Sequence, residues 1–220
     1  MCGRYLIEDE VYADMLELIS SIAEHNQLHT PHSTLPVNPT LHTPYSKLKK
    51  VEIYPTNIAP VFVRDGVAAV KWGFPNWKNS GVIINARAET APEKNMFRKP
   101  LRESRCVIPS SGFYEWDRVS GRKKKEKYLL RRPGARMLYM AGMMSVFCDA
   151  AGCDYSAFVI LTTAANDSVA QLHDRMPVIL APDERDRWLG DSGFVQYALR
   201  RPGPELELLM MDSKTDAFPS

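Results

Sequence analysis

The second residue carries the most unusual chemical potential in this chain. A small residue after the initiator methionine generally permits removal of Met1, which leaves an α-amine and a thiol together on Cys2. The amine has a reference pKa near ~7.7–8.0 and the thiol near ~8.5, so both offer a nucleophilic fraction at neutral pH. Such a pair does what an internal cysteine cannot. The amine condenses with an aldehyde to an imine, and the thiolate closes on the imine carbon as a five-membered thiazolidine. Both nucleophiles sit on one residue, so ring closure is intramolecular and favoured by proximity. A cysteine at position 2 also arises by chance, and other residues must decide between the two.

Four further segments bear on that choice. Gly112-Phe113-Tyr114-Glu115-Trp116 sets one carboxylate among aromatics, and an apolar setting raises a carboxyl pKa toward general acid–base use. A strand glutamate facing solvent is the plainer alternative. In Ile83-Ile84-Asn85-Ala86-Arg87-Ala88-Glu89-Thr90, Asn85 follows an apolar strand and suits a sugar hydroxyl or aldehyde oxygen, and Arg87 suits a phosphate. A strand-end cap and a salt bridge account for them equally. Leu172-His173-Asp174-Arg175-Met176-Pro177 offers an imidazole that titrates in the range needed to exchange protons with a hydroxyl, or a structural histidine. Trp72-Gly73-Phe74-Pro75-Asn76-Trp77 offers aromatics that stack on bases or fill the core.

The elements that must position these groups follow from patterning. Val11, Met15, Leu18, Ile19 and Ile22 mark a helix over 10–24 with one buried stripe. Residues 25–46, rich in Pro, Thr, His and Asn without any period, read as a long polar surface loop. Short β-prone runs follow at 51–54, 61–63, 67–70, 81–85, 106–108, 113–117, 127–131, 138–142, 157–162, 177–180 and 206–210, with a tight turn at Asp65-Gly66. Helical patches lie near 93–97, 166–172, 183–189 and 193–199. Many short strands with scattered helices predict an α+β fold, a curved or barrel-like and mainly antiparallel sheet with peripheral helices. At 220 residues the length fits a single domain spanning 1–220.

Composition narrows the function classes. Hydrophobic residues are 45% and charged residues 25%, as in a soluble globular protein. No apolar run reaches the ~20 residues a membrane helix requires, and no secretory signal is visible at the start, so a cytoplasmic protein without membrane contact is expected. The four cysteines, at 2, 106, 148 and 153, form no CxxC pair, and no histidine pair at ligand spacing joins Cys148 and Cys153, so neither a metal nor a cofactor is expected. Dinucleotide, P-loop and zinc-protease motifs are missing. A net charge of +2 does not by itself announce nucleic acid. The densest basic patch is Arg122-Lys123-Lys124-Lys125-Glu126-Lys127, a solvated turn or a phosphate contact.

The joint, ordered occurrence of Met1-Cys2-Gly3-Arg4, Pro55-Thr56-Asn57-Ile58-Ala59-Pro60, Trp72-Gly73-Phe74, Asn85-Ala86-Arg87-Ala88-Glu89-Thr90, Gly112-Phe113-Tyr114-Glu115-Trp116 and His173-Asp174-Arg175-Met176-Pro177 resembles the SRAP family, the SOS-response-associated peptidase or abasic-site-processing proteins. The resemblance runs from Cys2 to about Trp188. It implies a covalent crosslink to the ring-opened aldehyde of an abasic site in single-stranded DNA. Cys2 would be the nucleophile, Asn85 the group that orients it and the sugar, Glu115 the proton carrier, and His173 the sugar-contacting acid–base group. Arg4, Arg87 and Arg175 would meet DNA, with Trp72, Trp77 and Thr162 as further contacts. Arg98, Lys99, Arg102 and Arg105 would help build a basic groove. The resemblance also implies a monomer, associated with the nucleoid when on DNA, and an AP-lyase side reaction. Two rival readings remain. One is a cysteine-type (auto)peptidase using Cys2, His173 and Asn85; the other is a non-covalent single-strand-binding module.

Overall fold

The computed structural model describes residues 3–15, 17, 50–119, 121 and 125–211. Cys2, the 25–46 loop, residues 122–124 of the basic run, and Leu18, Ile19 and Ile22 of the expected helix lie outside the described residues.

The longest apolar runs form strands buried on both faces, which is why they read as continuous rather than alternating. Strand β3 (Ile58–Val63) turns into β4 (Gly66–Trp72). Val63 pairs with Gly66, so the turn residues are Arg64 and Asp65, one position earlier than expected. Short strands β5 (Phe74–Pro75), β6 (Val82–Ile83) and β7 (Asn85–Arg87) follow. Beyond them come β8 (Arg105–Ser110), β11 (Leu138–Cys148) and β12 (Asp154–Ala164). Strands β12, β4, β3, β8 and β11 are hydrogen-bonded in that order, and β11 returns to β12, closing a five-stranded barrel. Only its β12–β4 contact is parallel; the other four are antiparallel.

Closure depends on Gly142, which stands opposite Cys106 on one side and Ile160 on the other. A Cβ there would lie 2.4 Å from Ile108 Cδ1 and 2.8 Å from the Val159 carbonyl oxygen, so only glycine lets the neighbouring strands approach this closely.

A second, antiparallel sheet packs on the barrel. It is ordered β15 (Glu207–Met211), β10 (Lys127–Arg131), β9 (Gly112–Trp116), β1 (Tyr5–Glu8), β2 (Lys50–Ile53). Tyr5, Ile7, Phe113 and Leu130 of this sheet join the main core, and Leu6, Tyr114 and Leu129 form a small cluster of their own. Trp72 links the two layers. Its ring lies 5.2 Å from Tyr5 and stacks on Phe158 at 6.2 Å. The expected α+β barrel is therefore present.

Helices cover the outside. Helix α1 runs over 9–15 and buries Val11 and Met15, two members of the expected stripe. Helix α2 (Asn95–Glu103) buries Phe97, Pro100 and Leu101. Helix α3 (Asp167–Ala170) is capped by Asn166, and α4 (Arg185–Gly190) and α5 (Ser192–Arg200) follow. Arg105, expected to help line a basic groove, is instead buried. Its guanidinium donates to the carbonyls of Leu101 and Arg102 at the end of α2, and of Trp188 and Leu189 in α4. A cation facing the negative ends of two helices fits their dipoles. Among the described residues no helix is long and apolar enough to cross a membrane.

Trp72 has no exposed surface, and its indole N–H donates to the Ile84 carbonyl at 3.0 Å. It offers no face to a base and serves the core, contrary to the expected DNA contact. Trp77, 71% exposed, keeps that possibility. Trp72→Ala should therefore cost about 3–5 kcal/mol of stability, whereas Trp77→Ala should stay within about 0.5 kcal/mol. Urea-denaturation midpoints of the two variants check this.

Candidate active site

Strand β12 organises the site because it changes partners along its length. Near its end it pairs in parallel with β7, setting Asn85 opposite Ile160 and Arg87 opposite Thr162. On its other side it pairs with β13 (Arg175–Pro177), setting Ala164 opposite Arg175. The excursion between β12 and β13 carries α3 and is closed by an Ala165 N–H bond to the Asp174 carbonyl at 2.9 Å. His173 sits at its end, its N–H bonded to the Val169 carbonyl.

Glu115 comes from the other sheet. Strand β9 pairs with β1, and the Tyr114 N–H donates to the Arg4 carbonyl at 2.9 Å. Just past β9, the Arg118 N–H donates to the Leu172 carbonyl at 3.2 Å, tying the strand that bears Glu115 to the segment that bears His173. Arg87, Arg118, Val119, His173, Asp174 and Arg175 line one cleft of about 400 Å³.

Electrostatics distinguish these groups. Glu115 is 1% exposed; burial raises its carboxyl pKa, and the Arg118 charge opposes the rise only partly. The carboxyl therefore keeps its proton further toward neutrality than an exposed glutamate does. Burial lowers the His173 pKa; Asp174 opposes this, and Arg118 and Arg175 add to it. The imidazole is thus mainly neutral at pH 7. Its Nδ1 accepts the Arg175 N–H at 3.0 Å and lies 2.7 Å from Asp174 Oδ1. One nitrogen cannot serve both in a single protonation state. Neutral His173 accepts the amide and carries its proton on Nε2; protonated His173 donates from Nδ1 to Asp174. A buried carboxyl whose pKa is raised and an imidazole whose pKa is lowered form a complementary acid–base set.

The arginines differ as well. Arg175 is buried and held by Glu89 in a bidentate pair at 2.7 and 2.8 Å. Its Nη2 also reaches the Thr162 carbonyl. The Arg175 hydrogen bond is the main reason that Glu89 titrates below the usual carboxylate range. Thr162 is fully buried, and its polar atoms face Arg175. Arg4 pairs with Glu52 at 3.1 Å and lies over the rings of Tyr54 and Trp116 at 4.3 and 5.2 Å. Asn85 is half-buried at the start of β7, and Arg87 is exposed at its end.

The structure thus brings Arg87, His173 and Arg175 to one cleft and links Glu115 to it through the β9 connection. Trp72 lies in the core, and Thr162 behind Arg175. Sequence reasoning missed Arg118 and the grip of Glu89 on Arg175. Arg118 is the first cation after the Phe-Tyr-Glu-Trp segment, and that position was the available signal.

Comparison with known proteins adds an independent finding. The sequence model of the family described as SOS response associated peptidase (SRAP) matches residues 1–211. Abasic site processing protein YoqW of Bacillus subtilis is 35% identical over 172 residues, 70% of this chain and 76% of that protein. Abasic site processing protein YoaM of the same organism is 36% identical over 147 residues, 60% of this chain and 64% of its own length. Abasic site processing protein YedK of Escherichia coli is 27% identical over 190 residues, 86% of this chain and 79% of that protein. A crystal structure of a Bordetella bronchiseptica protein superposes with a TM-score of 0.67 at 21% identity, covering 96% of this chain and 100% of the other, which bears on the fold alone.

Proposed function

The chain belongs to the SRAP family, and from that membership and the cleft's chemistry we propose that it processes abasic sites in single-stranded DNA by joining them covalently to Cys2. The observation that carries this reading is a buried carboxyl, that of Glu115, on a strand paired with the one that leads back to the chain start. Tyr114, the neighbour of Glu115, bonds to Arg4. Cys2 is two residues upstream of Arg4, a reach of about 7 Å at most.

In this reading Met1 is removed, and the cleft receives the abasic sugar. Glu115 and His173 exchange protons with the ring oxygen and the hydroxyl, opening the hemiacetal to its aldehyde. The Cys2 amine adds to the aldehyde carbon, and loss of one water gives the imine. The thiol then adds its sulfur to the imine carbon while its proton goes to nitrogen, closing the thiazolidine. Asn85 orients the opened sugar, and Arg87 meets a phosphate. An imine left untrapped would lose the proton next to it and expel the 3′ phosphate, an AP-lyase side reaction that sulfur capture suppresses.

Intact-protein mass spectrometry before and after incubation with a single-stranded oligonucleotide carrying one abasic site tests this. The expected result is protein lacking Met1 that gains the mass of the strand less one water, resists denaturant, and fails to do so as Cys2→Ser. Protein with a free Cys2 amine and no adduct would overturn the proposal. Cleavage of peptides without DNA would point to the peptidase reading instead.

A further inference from the structure

The three arginines of the cleft are not equally available to a ligand. Arg175 is largely engaged: Glu89 takes both of its terminal nitrogens in a bidentate pair, the Thr162 carbonyl takes Nη2 again, and its side chain is only 11% exposed. Arg87 and Arg118 are both exposed. They come from different parts of the chain, the end of β7 and the connection after β9, yet line the same space. Arg118 is fixed at its backbone by the bond to the Leu172 carbonyl, directly before His173. Its guanidinium is close enough to influence both Glu115 and His173 electrostatically. Asp174, the acidic group of the lining, is set against His173 Nδ1.

We propose that Arg118 is a phosphate-binding residue of this cleft, acting with Arg87 to hold the phosphodiester beside the reacting sugar. The assignment rests on reading the cleft as a site for abasic DNA. A guanidinium offers a planar fork of donors that matches phosphate oxygens. Two such forks from separate elements fix a phosphodiester in one register, while Arg175, already neutralised by Glu89, braces the wall that carries them. A phosphate held there also brings a negative charge near His173, which favours imidazolium when the sugar ring opens.

The test separates binding from crosslinking. A single-stranded oligonucleotide bearing a tetrahydrofuran abasic analogue has no aldehyde and cannot form an imine, so its affinity reports non-covalent contact alone. Affinity is measured across a salt series for the unaltered protein, Arg118→Ala, Arg118→Lys and Arg200→Ala, the last an exposed cation at the end of α5. Arg118→Ala should weaken binding about tenfold and flatten the salt slope by about one unit. Arg118→Lys should restore the slope, since it restores the charge. Arg200→Ala should leave both unchanged. Unaltered affinity and slope in Arg118→Ala, or an equal loss in Arg200→Ala, with the unaltered protein still binding and crosslinking abasic strands, overturns the assignment to Arg118 alone. Failure of the unaltered protein to bind or crosslink any abasic strand overturns the reading of the cleft, and this assignment with it.

Discussion

Cys2→Ala, with Met1 removed so that the terminal amine is free, is expected to lose the denaturant-resistant DNA adduct completely while still forming an imine that borohydride traps. In the proposed reaction the amine and the thiol of Cys2 have separable jobs. The amine attacks the aldehyde and expels water, a reversible step; the sulfur converts the imine into a ring, and the proximity of the two groups makes that closure intramolecular. Deleting the sulfur leaves the first step and removes the second. The untrapped imine persists long enough to eliminate the 3′ phosphate, so strand cleavage should rise as the stable adduct disappears. Denaturing gels with and without borohydride read all three products. A stable adduct in Cys2→Ala would show that the sulfur does not hold the DNA.

Glu115→Gln should slow crosslink formation by about 10²–10⁴-fold, the usual contribution of one positioned acid–base group, while leaving affinity for the tetrahydrofuran analogue near that of the unaltered protein. The same substitution should act on stability with a definite sign. Burial holds the folded-state pKa of Glu115 above its ordinary value of 4.5. Below that value the carboxyl is protonated in folded and unfolded chains alike and exacts no pH-dependent cost. As pH rises through 4.5 the unfolded chain ionises first, and the fold loses relative stability until the raised folded pKa is passed. Glutamine cannot ionise, so Glu115→Gln should be more stable than the unaltered protein at about pH 8, by a margin that shrinks toward about pH 4. Thermal unfolding at the two pH values gives the comparison. A margin that stays constant with pH would mean that Glu115 titrates as an exposed glutamate does. The crosslinking rate supplies a second readout: if Glu115 acts as the acid in ring opening, the rate should fall as pH passes its raised pKa, and that limb should vanish in Glu115→Gln.

What the sequence by itself determined was whatever is local or covalent. The aminothiol that Cys2 would carry once Met1 is removed follows from bond connectivity and needs no fold. The buried strand read from the apolar run Ala157-Phe158-Val159-Ile160-Leu161-Thr162, and the helical stripe of Val11 and Met15, follow from side-chain pattern, which is local. The Asn85, Glu115 and His173 segments were legible as a set because their order and composition are specific. Tertiary structure alone decided what depends on partners far apart in the chain. The barrel closes because β12 pairs in parallel with β4 while β11 returns to it across Gly142, and no local pattern states which strand a strand will choose. Trp72 and Trp77 are close neighbours in the chain and equally aromatic, yet one is sealed between Tyr5 and Phe158 and the other faces solvent. Arg175 looked available until Glu89, in another strand connection, took both ends of its guanidinium. Arg118, which sequence reasoning missed, lines the cleft, and its backbone is fastened to Leu172. Charge and burial are properties of neighbourhoods, and a neighbourhood exists only once distant segments have packed together.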